Sequence, residues 1–252
     1  MANFDKMTDD GRKLFLGYAQ ERMIRKYGLP SDETYLYFWM LCRVYRITRE
    51  EGFVEECRTP VSPEAWAGMR AQGSTPAWPG CGEATGGDAW RRASNGVAMT
   101  LYDVLCYAKD DAAATGEFIN LNSLVTLISA AGNPGGGMMS KYTKLLDEHP
   151  DELAQVLAAM GGVPQGKADV SYEMPVFDFM NVRFQLWHAD DEFPAMTEIF
   201  VDKGILSYMH YETVWYLMMH YMMMLDRGLR ARLSPEPEGG RAEEDESFYS
   251  WS

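Results

Sequence analysis

Val182-Arg183-Phe184-Gln185-Leu186-Trp187 is the stretch whose reading decides the fold. Apolar and polar side chains alternate through it, the pattern of a strand with one face on a core and the other toward solvent. Residues 172–179 before it and 196–201 after it read the same way. Short turns separate the three runs, so an antiparallel meander is predicted.

The flanking sequence is mostly helical in pattern. Asp9 and Asp10 can cap a helix carrying Leu14, Phe15, Tyr18, Met23 and Ile24, with Gly28 and Pro30 ending it. Ser31 opens a second predicted helix through Tyr35, Phe38, Trp39, Leu41 and Cys42, apolar on nearly every side and therefore central. Residues 44–47 and 53–56 bracket Arg49-Glu50-Glu51-Gly52 and read as a hairpin closed by a glycine turn. Helical pattern returns at 97–107, after Asn122, at 139–148, at 150–160 before Gly161-Gly162, and at 211–229. Proline at the start of the 150–160 run suits a first helical turn.

The predicted class is α+β: a small antiparallel sheet packed by several helices, in a single domain over residues 1–233. Residues 58–94 form a long irregular insertion with Pro60, Pro63, Pro76 and Pro79 and with Trp66, Trp78 and Trp90 spaced through it. Loops of this length without elements of their own are uncommon in compact domains and often act as lids or mobile segments. Residues 234–252, with Glu243-Glu244-Asp245-Glu246, are a predicted disordered acidic tail.

The 252 residues carry 37 acids against 23 basic residues, a net charge of -14. That field repels phosphate backbones, and no basic cluster is longer than Arg91-Arg92, which argues against nucleic acid and against an anionic membrane surface as partners. No run reaches the roughly 18–20 apolar residues of a membrane span, and Met1-Ala2-Asn3-Phe4-Asp5-Lys6 is no signal-peptide core, so a cytoplasmic location is expected. Cys42 and Cys106 sit in apolar contexts as buried thiols, while Cys57 and Cys81 flank the Pro/Gly-rich stretch and can meet in space. Gly132-Asn133-Pro134-Gly135-Gly136-Gly137 lacks the preceding strand and the GK[ST] of a phosphate loop and reads as an interhelical turn.

The candidate site follows from the meander. The connection after Trp187 holds His188, Asp190, Asp191, Glu192 and Pro194 at one end of the sheet, Asp202 terminates the next strand, and His210 and Glu212 open the last helix. Trp187, His188, Asp191, Glu192, Asp202 and Glu212 are therefore the candidate ligand-binding residues. His188, Asp191 and Glu192 are the candidate metal ligands, since imidazole with carboxylate suits zinc, manganese or iron. The structural alternative is that the aspartates make the turn and Glu212 complements the helix dipole. No HExxH and no GxSxG occurs. Met218, Met219, Met222, Met223 and Met224 around His220 and Tyr221 form either helical core or a soft wall for a planar ligand, with His220 as an axial ligand to a tetrapyrrole.

From Leu101 to about Leu229 the chain resembles an uncharacterised family of bacterial and archaeal proteins, mostly from anaerobes, catalogued as a domain of unknown function. The resemblance rests on Gly161-Gly162, Asp169, Ser171, Trp187, Asp191-Glu192-Phe193-Pro194, Ile199-Phe200-Val201-Asp202, Tyr208 and Glu212. Some members of that family are joined to a small iron-sulfur domain of the corrinoid-enzyme kind, whose cysteine run this chain lacks. The resemblance implies a cytosolic accessory protein that binds a small molecule or cofactor, a corrinoid or other tetrapyrrole among them, by analogy alone. A metal-dependent enzyme activating water at the His/carboxylate cluster is the second reading. The third is an interaction module with a protein partner at residues 58–94 or the acidic tail.

Overall fold

The computed structural model describes residues 2–71, 89–126 and 135–234. The fold is α+β with antiparallel strand pairing, the class expected, and the chain packs as two compact units. Of the described residues, 2–71, 89–112 and 206–217 belong to the first unit; 113–126, 135–205 and 218–234 belong to the second. The remainder of the 58–94 stretch, with Trp78 and Cys81, and the tail from residue 235 lie outside the described residues.

In the first unit, helices α1 (Ala2–Gly17) and α2 (Gln20–Tyr27) precede strands β1 (Tyr35–Met40), β2 (Arg43–Thr48) and β3 (Val54–Cys57). Helix α3 (Pro63–Ala71), strand β4 (Trp90–Arg92) and helix α4 (Asn95–Tyr107) follow. The strands pair antiparallel in the order β4-β3-β2-β1. Phe15, Leu36, Trp39, Tyr45, Ile47, Trp66 and Leu101 are fully buried, and α1 packs on α4 with Phe15 and Tyr102 6.0 Å apart.

Two expectations change here. The apolar run 35–40 is a strand, not a helix: its burial on both faces erases the alternation that separates the two at this length. It turns into β2 through Leu41 and Cys42, both in the left-handed region at φ 50° and 59° and both buried. Two-residue hairpin turns of this kind usually carry Asn-Gly, so no turn signal marks this one. Helix α1 also begins before Asp9, which lies inside it and pairs with Arg12 at 2.6 Å and Lys13 at 2.5 Å. Gly28 does end α2, at φ 59°.

In the second unit, β5 (Phe118–Asn120) leads into α5 (Leu121–Thr126), followed by α6 (Gly135–Glu148) and α7 (Pro150–Ala159). The two-residue β6 (Val163–Pro164) pairs with β7. Strands β7 (Val170–Phe177), β8 (Met180–Trp187) and β9 (Met196–Asp202) form the expected meander, with β5 added beside β9. The alternation is visible in the burial over 180–184, with Val182 and Phe184 inaccessible, and is lost at Gln185, which is buried like Leu186; α6 and α7 pack on these strands. Helix α8 (Tyr211–Leu233) begins in the first unit and continues in the second.

Cys42 and Cys106 are free and buried, and burial pushes both thiols up to about 12. Cys57 is disulfide-bonded. Among the described residues, no helix is long and apolar enough to cross a membrane.

The β2–β3 turn depends on Gly52. Its φ is 75°, and a Cβ there would lie 2.9 Å from Arg12 Cγ and 3.4 Å from Phe15 Cδ1. Gly52→Ala is expected to destabilise the protein by about 1–3 kcal/mol, read as a lower urea midpoint. An unchanged midpoint would contradict the packing of α1 on this turn.

Candidate functional site

The connection from Trp187 to Met196 is held by its own backbone donors. The Asp190 carboxylate accepts from the N–H of Glu192 at 2.8 Å and of Phe193 at 2.7 Å, and Asp190 N–H donates to Phe193 O at 2.9 Å. Those two donors, Phe193 first, hold the Asp190 carboxyl below its usual range. This is the Asx-turn geometry of a loop that organises itself. Asp191 and Glu192 are exposed, and Phe193 is 66% exposed.

His188 is fastened to other elements. Its Nδ1 lies 2.6 Å from Asp147 on α6, and its N–H donates to Asp169 at 2.8 Å just ahead of β7. The imidazole's carboxylate partner is thus Asp147 rather than Asp191 or Glu192. Asp147 escapes sequence reading, and Asp169, one of the residues that carry the family resemblance, is not recognisable there as a partner of His188, because they stand 41 and 19 residues away.

Asp202 is 2% exposed and closes a turn in the second unit. It accepts from Thr115 N–H and Oγ1 at 3.0 Å, from Gly116 N–H at 2.7 Å and from Gly204 N–H at 2.7 Å. Burial pushes this carboxyl up, but the N–H groups of Thr115, Gly204 and Gly116 outweigh it, and the group ends below the ordinary aspartate range.

Glu212 belongs to the first unit, exposed in the first turn of α8. Nearby, His210 is clamped by Asp103, Nδ1 to one carboxylate oxygen at 2.6 Å and N–H to the other at 2.7 Å, with the Tyr107 ring 3.8 Å away. Met218, Met219, His220, Tyr221 and Met222 are buried as helical core. Among the described residues, no group of three or more His, Cys, Asp and Glu side chains is placed to hold a metal ion.

A concave site lies in the first unit instead. A cavity of about 250 Å³ is lined by Asp5, Arg12, Phe53, Arg92, Asn95 and Tyr102, among others. The Arg92 guanidinium lies 3.9 Å from the Phe53 ring centroid and that of Arg12 lies 5.1 Å from it, a cation–π pairing that fixes both heads beside the opening. Arg12 is spoken for: it donates to Asp9 at 2.6 Å and to Glu51 O at 2.8 Å. Asn95 donates to Asp5 at 3.0 Å, and Tyr102, its phenol pushed up by burial, donates to Gly52 O at 2.6 Å. Arg92 has no carboxylate partner among the described residues. Four separate elements supply these groups, and the Arg91-Arg92 doublet is the one sequence feature that points toward them.

Residues 79–224 match the model of a family described as a domain of unknown function (DUF3786). The match takes in Arg92, Asn95 and Tyr102 as well as the 188–195 connection; the α1 residues and Phe53 precede it. No curated protein and no solved structure matches the chain.

Two outcomes follow. Asp202→Asn leaves the shape but weakens the charge-assisted bonds, and is expected to destabilise by about 2–4 kcal/mol. Because the folded group titrates below its unfolded value, its contribution is fully present above about pH 4 and is lost as pH falls through the folded value. The variant should therefore lose less stability than the wild type on acidification in urea melts, and an identical acid limb would contradict the assignment. Tyr221→Phe is expected to hold or raise stability, by up to about 1 kcal/mol, since the buried Tyr221 hydroxyl has no partner among the described residues. A loss in the same melts would show that the hydroxyl is bonded.

Proposed function

The chain belongs to the DUF3786 family, and from that premise and the cavity of the first unit we propose that it is a binding protein for a small polar molecule. The observation that carries the reading is Arg92, a guanidinium held over Phe53 at the cavity without a carboxylate to neutralise it. Binding sites for small molecules combine an apolar floor with a few convergent polar groups, and Phe53 and Ala98 beside Arg92, Asn95 and Tyr102 fit that description. A fixed fork of N–H donors is also the group best suited to a planar carboxylate.

Size narrows the ligand. Drug-sized ligands occupy pockets of roughly 300–1,000 Å³, and about 250 Å³ suits something smaller, well below a tetrapyrrole. Candidate compounds are therefore small organic acids and amino compounds.

The test is a thermal-shift panel of such compounds on the full chain and on Arg92→Ala. A ligand at 100 times its Kd stabilises the folded state by about 2.7 kcal/mol. At least one compound is expected to raise the wild-type midpoint by several degrees, with the shift lost in Arg92→Ala. Shifts that survive the substitution, or a panel without any shift, would overturn the proposal.

A further inference from the structure

We infer that the ligand is a zwitterion, with its anionic group on Arg92 and its cationic group on Asp5; this rests on the cavity reading above. Four charged side chains line the cavity. Two of them form an ion pair, Arg12 with Asp9 at 2.6 Å, and Asp9 also takes Lys13 at 2.5 Å. The other two do not. Arg92 stands opposite Glu55 in the β3–β4 register and lies over the Phe53 ring without an ion pair, and the Asp5 carboxylate takes a hydrogen bond from the neutral amide of Asn95, at 3.0 Å. No ion pair joins Arg92 to Asp5, both exposed, so the wall offers one positive and one negative head, each solvated when nothing is bound, to the same small volume.

A molecule carrying one charge of each sign satisfies both. A monoanion leaves Asp5 facing it, and a monocation leaves Arg92 facing it; like-charge juxtaposition in a confined site is the device by which proteins reject wrong partners. The whole chain acts in the same direction. With a net charge of -14 it repels monoanions at long range and attracts cations without selecting a place, whereas a zwitterion has no net charge to be repelled.

The experiment titrates the full chain with glycine, β-alanine, γ-aminobutyrate and 5-aminopentanoate, a series that spans the separation of charges, and with butyrate and butylammonium as single-charge controls. Binding is read by NMR from the side-chain signals of Arg92 Nε–H and Asn95 Nδ2–H. At least one zwitterion is expected to move both signals and to bind at least tenfold more tightly than either control. Arg92→Gln should abolish its binding, while Asp5→Asn should weaken it and strengthen butyrate. Butyrate binding the wild type as well as the zwitterions would overturn the inference and leave the cavity reading standing. Failure of all six probes to move either signal, together with a panel that gives no thermal shift, would overturn both.

Discussion

Charge compensation is the constraint on which the rest of this structure depends. A chain with 37 acids and 23 basic residues has to place carboxylates beside apolar surface, where an unmatched charge is costly. It does so by giving most of them donors from backbone or from a fixed partner. Asp202 takes N–H groups from Thr115, Gly116 and Gly204, and Asp190 takes those of its own turn. Asp103 and Asp147 each take a histidine, and the buried Glu56 lies between Arg43 and Arg91. At the cavity, Arg92 and Asp5 are exposed and stand without an ion pair.

The same constraint recasts the acidic connection after Trp187. Its polar residues are gathered at a sheet end, and two of them have definite work: Asp190 shapes the turn and His188 fastens it to α6 and to the segment before β7. Asp191 and Glu192 face solvent. Surface groups of this kind contribute little to stability individually. Asp202, by contrast, is a buried acceptor of several N–H groups, and removing its charge weakens the bonds that hold its turn.

How much was legible depends on where burial is one-sided. β8 is readable because Val182, Phe184 and Leu186 are buried while Asn181 and Arg183 are not, so the pleat is written in the residue types. α7 is readable because proline starts it and Gly161, at φ 80°, follows it. β1 is not, since every residue from Leu36 to Met40 is buried, and its turn at Leu41 and Cys42 uses left-handed backbone without glycine or asparagine. The site divides in the same way. Residues local to the 187–194 connection can be named from sequence, whereas the partners of His188 and the cavity that joins α1, Phe53, β4 and α4 exist only through long-range packing.

The proposed role of the first unit's cavity is to hold a small molecule through Arg92. Native mass spectrometry of the full chain, purified gently from cells, tests it most directly. The expected result is a retained compound of low mass, bearing both an acidic and a basic group, that is absent from Arg92→Gln purified in parallel. A retained tetrapyrrole or metal ion, or a compound held equally by Arg92→Gln, would contradict it.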